Sequence, residues 1–179
     1  EAAIKLYREK LAKESEGAIA QLLTEQAQAY SELGQHQVAV ERAELAIRLA
    51  QKHQDRSTEA AAQGALGSAY WALGNYDAAL KANQQSLTLA CQLNSQPYIA
   101  SSLNNLGNIF ASRAERFRYQ ATAANLEGDT PEFTRLGRLA DRDLRIAIAA
   151  YRQSAEMGQA VQGAIATKAQ LNLNRLSQG

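Results

Sequence analysis

Along most of the chain, apolar side chains recur three and four residues apart and do not alternate. Leu66, Gly67 and Tyr70 mark one segment, and Ala79, Leu80 and Leu87 mark the next. That spacing is the 3.6-residue period of an α-helix with one face turned inward. The material agrees: alanine dominates together with Leu, Gln, Glu and Arg, while only 2 prolines interrupt. Gly34 and Gly74 fall where a first helix has to stop, because glycine enters the left-handed conformation that ends a helix at little steric cost. The pattern predicts an all-α protein built from helical hairpins.

Comparison of the chain with itself adds a repeat. Tyr30, Leu33, Gly34, His36, Ala39 and Ala46 return 40 residues later as Tyr70, Leu73, Gly74, Tyr76, Ala79 and Ser86. A third copy opens with Leu106-Gly107 and Phe110, which answer Leu66-Gly67 and Tyr70. Small residues at fixed places in each copy let paired helices approach closely.

Leu66-Gly67, Tyr70, Gly74, Tyr76 and Ala79 resemble the signature of the tetratricopeptide repeat (TPR), and the 40-residue period is similar to the extended repeats of kinesin light chains and related adaptors. The resemblance implies a right-handed superhelical solenoid of antiparallel helix pairs, a single array over 1–179. Residues 1–16 are expected as the second helix of a truncated repeat, on Ala3, Leu6, Tyr7 and Leu11. Repeats follow over 17–56, 57–96 and 97–158, and 159–179 is expected as the first helix of another truncated repeat. Both ends therefore read as cut within a repeat, and the chain as a piece of a longer protein.

The third copy departs from the rule. Phe110 to the matching Ala147 spans 37 residues where Tyr70 to Ala79 spans 9, so 28 residues are inserted, around 114–145. Ala114 stands where Gly34 and Gly74 stand in the earlier copies, and the apolar register runs on through Phe117, Ala121 and Ala124. A stop follows at Gly128, Asp129 or Thr130 can cap a returning helix, and Pro131 suits its first turn. The returning register is Phe133, Leu136, Ala140, Leu144, Ala147 and Tyr151. Two arms of about fourteen extra residues would project roughly 20 Å beyond the array at about 1.5 Å per residue.

In such a solenoid the first helix of each repeat lines the inner surface, and residues off its packing face are the candidate contacts. They are Gln21, Thr24 and Gln28 in the first copy, Ser68 and Trp71 in the second, and Ser101, Asn104 and Asn108 in the third. This lining is neutral and polar. Carboxamides carry both donor and acceptor, which suits the backbone of an extended peptide, and Trp71 offers an aromatic anchor. The run Leu103-Asn104-Asn105-Leu106-Gly107-Asn108 is similar to the Asn-bearing helices with which kinesin-light-chain-like repeats hold peptide backbone. Arg135, Arg138, Arg142 and Arg145 share one face of the returning arm. They are a possible secondary docking face, or a solvated face balanced by Glu115, Glu132, Asp141 and Asp143.

Charge narrows the partners. Lys and Arg total 19 against 18 Asp and Glu, and from Ala111 to Ala147 there are seven Arg against six acids. Nucleic-acid binding normally needs a larger basic excess, so it is not expected. Cys91 is the single cysteine and is expected as a buried packing residue in a reducing, cytoplasmic setting. No apolar run approaches the roughly 18 residues that cross a bilayer, so no membrane role is expected. Only His36 and His53 could serve as bases. His36 replaces Tyr76 and is expected to fill a junction between helices, and His53 sits in a polar stretch that reads as a helix end. No metal or other cofactor and no catalysis are expected.

The run from Ala100 to Phe110, the interrupted repeat after it and the ending Ala169 to Leu176 resemble the amino-terminal repeats of cyanobacterial proteins with a caspase-like CHAT domain. That likeness implies a regulatory, protein-binding module whose peptidase chemistry belongs to another domain. The alternatives are a ligand-sensing segment of a signalling or transcriptional regulator, or self-association through the truncated ends or the inserted hairpin.

Overall fold

A computed structural model describes the backbone of residues 2–159 and 164–177, and the side chains of 15–158, 167 and 169–176. Among the described residues the chain is all-helical, with seven helices and no strands: α1 (Ala2–Glu32), α2 (His36–Lys52), α3 (Arg56–Ala72), α4 (Tyr76–Gln92), α5 (Gln96–Leu126), α6 (Thr130–Gln159) and α7 (Ala164–Ser177). Residues 1–98 and 99–179 form two compact units.

The 40-residue period has a local cause. Helices α2, α3 and α4 are 17 residues each, joined by three-residue turns, so successive helices start at His36, Arg56, Tyr76 and Gln96, twenty residues apart. Each turn from α1 through to α6 is closed by the same pair of backbone bonds. At the first, Gln35 N–H donates to Tyr30 O at 2.8 Å and Gly34 N–H to Ser31 O at 3.1 Å. At the third, Asn75 N–H donates to Tyr70 O and Gly74 N–H to Trp71 O, both at 2.9 Å. These are Schellman closures, which satisfy the last carbonyls of a helix and require one residue at positive φ. Gly34, Gly74 and Gly128 supply it at φ 76°, 73° and 78°.

The turns at 53–55 and 93–95 use the same closure without glycine, with Gln54 at φ 56° and Asn94 at φ 50°. Asn tolerates the left-handed region better than Gln. Gln54→Gly should therefore stabilise the first unit by about 1 kcal/mol, read as a higher urea midpoint with an unchanged slope.

The helices also start locally. Asp55 Oδ1 accepts from Thr58 N–H at 3.0 Å while Thr58 Oγ1 donates to Asp55 Oδ2 at 2.6 Å. Asn75 caps α4 through Ala78 N–H at 3.3 Å, and Asp129 caps α6 through Glu132 N–H at 3.0 Å. Such caps satisfy amides that the helix itself leaves unpaired.

In the first unit α1 packs on α2, α2 on α3, α3 on α4, and α1 also on α3. Their common core is small-sided, with Ala27, Ala39, Ala43, Ala46, Ala62, Ala69 and Ala82 around Leu23, Val40, Ile47 and Leu66. The segment expected as a separate helix over 1–16 runs without a break into the next, since Ala2–Glu32 is one helix. The side chains of Ala3, Leu6, Tyr7 and Leu11 lie outside the described residues. So does the junction at 160–163, where the last truncated repeat was expected to begin. Glu16 holds α1 to the end of α2: Lys52 Nζ donates to its carboxylate at 2.7 Å, and His53 Nε2 is paired with the same oxygen. The hydrogen bonds from Lys52 and then His53 hold the Glu16 carboxyl below the ordinary range.

Cys91 corrects an expectation. It is exposed, because the buried position on that turn of α4 is its neighbour Ala90.

In the second unit α5 and α6 are 31 and 30 residues long, fourteen and thirteen more than the 17 of α4. Ala114, Ala121, Ala124, Leu136 and Ala140 are buried along the arms, and Phe117 packs with Ala121, Ala124 and Leu136.

Where paired helices cross, side-chain size is traded across the interface. A Cβ on Gly67 would lie 2.0 Å from Asn83 Nδ2 and 3.2 Å from Ala79 O, and a Cβ on Gly107 would lie 2.5 Å from the Tyr151 ring. Allowing for the insertion, Asn83 and Tyr151 occupy the same repeat position, and so do Gly67 and Gly107. In the first hairpin the corresponding residues are Ala27 and Ala43, both buried. A larger residue on the second helix thus requires glycine on the first. One more equivalent pair follows the rule of the repeat: Ser86 Oγ donates to Ala60 O at 2.8 Å, and Ser154 Oγ donates to Ala100 O at 2.7 Å.

Candidate functional site

The polar residues proposed from sequence fall into two sets, one in each unit. In the first unit Gln21 and Gln28 are exposed on α1, whereas Thr24 is buried and its hydroxyl donates to Ala20 O at 2.9 Å. Ser68 on α3 is half-buried and donates to Gly64 O at 3.1 Å, and Trp71 is half-buried one turn on. Two of the five are thus engaged with their own helix.

The second unit holds a connected cluster. Ser101 is exposed, Asn104 is buried and Asn108 is half-buried, all on α5. Tyr151 of α6 donates its hydroxyl to Asn108 Oδ1 at 2.7 Å. Asn172 of α7 donates Nδ2 to the same oxygen at 3.0 Å and to Asn104 Oδ1 at 3.3 Å. Burial pushes the Tyr151 phenol well above its usual range, with the Glu115 charge adding to it, so Tyr151 is a proton donor at neutral pH.

That geometry fixes which way Asn108 points. Both lone pairs of Oδ1 are engaged, so Nδ2, which has no partner among the described residues, is the group on offer. Neither was named from sequence as a site residue: Tyr151 was read only as part of the packing register of the returning arm, and the two lie 43 and 64 residues beyond Asn108. The available signal was the shared repeat position of Tyr151 and Asn83, together with the Asn-Leu-Asn run at 172–174.

The arginine face of α6 is partly neutralised. Arg135 Nε and Nη2 each donate to Glu132 at 2.6 Å, which holds the Glu132 carboxyl below its ordinary range. Arg142 Nε and Nη2 donate to Asp143 Oδ1 at 3.2 and 3.1 Å. Arg138 and Arg145 are exposed without an ion pair to any described residue.

Asp143, expected on the solvated face, is fully buried. Arg113 reaches it from α5, with Nε to Oδ2 at 2.5 Å and Nη2 to Oδ1 at 3.1 Å, and its guanidinium lies over Phe110 at 4.9 Å from the ring centre. The carboxylate belongs to the inner register of Leu136, Ala140 and Ala147, and it locks the two arms together at the root of the extension.

His36 is half-buried, with Nδ1 buried and unpaired among the described residues. Among the described residues no group of three or more His, Cys, Asp or Glu could hold a metal ion, and no helix is long and apolar enough to cross a membrane. No protein-family model matches the chain, and no curated protein matches it.

Proposed function

We propose that the chain is a TPR-type solenoid acting as a non-enzymatic protein-interaction scaffold, a regulatory module that holds an extended peptide segment of a partner protein. The observation that carries this reading is the oriented carboxamide of Asn108. With Oδ1 engaged by Tyr151 and Asn172, its Nδ2 is a preorganised donor for a peptide carbonyl, and the exposed Ser101 lies on the same helix. Backbone recognition of this kind carries little side-chain specificity, so selectivity falls to contacts beyond Asn108. The repeat pattern and the resemblance to adaptor repeats support the same reading.

Asn108→Asp separates binding from stability. The carboxylate still accepts from Tyr151 and Asn172, while the outward donor is lost. Peptides enriched from a random display library by the unmodified chain should bind Asn108→Asp about tenfold more weakly, the worth of one interfacial hydrogen bond near 1.4 kcal/mol, at an unchanged melting temperature. Equal binding by both proteins, or no enriched peptide at all, would overturn the proposal.

A further inference from the structure

The outer face of α1 is apolar and open. Ile19, Leu22 and Leu33 are 47%, 53% and 72% exposed, and Ala29 is exposed between them. With Gln26 they form one stripe, spaced three, four, three and four residues apart. Scattered exposed leucines need no explanation, but a continuous helical stripe does.

The repeat states what belongs on this stripe. Forty residues on, the same positions are Glu59, Ala62, Leu66, Ala69 and Leu73 of α3. There Ala62 and Ala69 are 0% exposed and Leu66 is 9% exposed, in one cluster with Val40, Ala43, Ala46 and Ile47 of α2. Helix α2 lies antiparallel on α3, since Gln51 Nε2 donates to Glu59 Oε1 at 2.7 Å near the start of α3 and Tyr70 donates to Glu44 Oε1 at 3.3 Å near its end. On α1 the corresponding positions are Ile19 and Tyr30.

Charge narrows the occupant further. From residue 14 to residue 34 there is no Lys or Arg, and of the acids there Glu16 is already paired with Lys52 and His53, which leaves Glu25 and Glu32 to face a partner. Glu25 and Glu32 are exposed and seven residues apart, which sets them in a row beside Leu22 and Ala29.

We propose that this stripe of α1 is a docking surface for a basic amphipathic helix of a partner protein, laid antiparallel as α2 is laid on α3. The partner helix carries small apolar residues along the contact and an acceptor opposite Tyr30, where Glu44 serves Tyr70. It has an apolar side chain opposite Ile19, where Gln51 serves Glu59, and Lys or Arg beside Glu25 and Glu32. This surface belongs to the first unit, and its argument does not rest on the Asn108 cluster.

The probe is a fluorescent, end-blocked 17-residue peptide of the α2 sequence carrying Glu41→Lys and Gln51→Leu, titrated into the full chain and followed by anisotropy. Saturable binding is expected, at least tenfold weaker for Leu22→Glu and for Ile19→Glu, and weakened severalfold for Glu25→Gln, Glu32→Gln. Asn108→Asp should bind it unchanged. Because both apolar substitutions are at exposed positions, each variant should keep the helical circular dichroism of the parent, and two independent sites guard against one that misfolds. Absence of saturable binding, or binding by the Leu22→Glu and Ile19→Glu variants as tight as that of the unmodified chain, would overturn the proposal. So would a concentration-dependent dimer, seen by sedimentation, that Leu22→Glu abolishes, since a second copy would then be the occupant.

Discussion

Replacing Arg113 by methionine should destabilise the second unit by about 3–5 kcal/mol, the usual cost of breaking a buried ion pair from one side. Methionine keeps much of the aliphatic stem over Phe110, so packing loss contributes little. The damage comes from Asp143, which is fully buried and would retain only the contact from Arg142, whose side chain is mostly exposed. Taking a carboxylate out of water without a full set of donors is the expensive step. Urea unfolding measures the total, and hydrogen exchange should assign the loss to amides of α5 and α6. Adding Asp143→Leu to Arg113→Met should restore most of it, because an apolar pair of similar volume removes the stranded charge. If the single and double variants unfolded alike, the pair would not be holding the arms.

The second large effect concerns Gly107. In the middle of an ordinary helix, Gly→Ala gains about 0.5–1 kcal/mol. Gly137 on α6 is such a case, since a Cβ there meets nothing within 4 Å. Gly107→Ala should go the other way and cost about 1–3 kcal/mol, because its Cβ would stand 2.5 Å from a ring that cannot easily retreat. Tyr151 is buried on all but 3% of its surface, and its hydroxyl is tied to Asn108. Opposite signs for Gly107→Ala and Gly137→Ala in chemical denaturation check the argument in one experiment.

How much of this was legible depended on whether the controlling signal was local. The all-helical fold followed from periodicity, and the turns at Gly34, Gly74 and Gly128 followed from the one residue that takes positive φ freely. The turn at 93–95 carries no such flag, since Asn94 adopts the same conformation at some cost and leaves only a faint mark in the sequence. Asp143 was assigned to solvent because it sits among arginines. Its register with Leu136, Ala140 and Ala147 was visible, but a carboxylate on an apolar stripe is placed only when its partner, thirty residues earlier on α5, is known. Asn108 shows the same limit. Its residue type suggested recognition, whereas the direction in which its amide points is decided by Tyr151 and Asn172 on two other helices.

The length of the inserted hairpin has a consequence for how that element can vary. Fourteen added residues complete nearly four turns at about 3.6 residues per turn, so the helix returns close to its starting phase. That is why Ala147, Tyr151 and Ser154 meet α5 as Ala79, Asn83 and Ser86 meet α3, despite the long excursion between them. The length of the two arms is therefore quantised. Removing seven residues from each arm leaves both ends in phase and gives a shorter rod on an undisturbed base. Removing five swings each arm by more than a third of a turn and drives the Asp143 carboxylate away from Arg113.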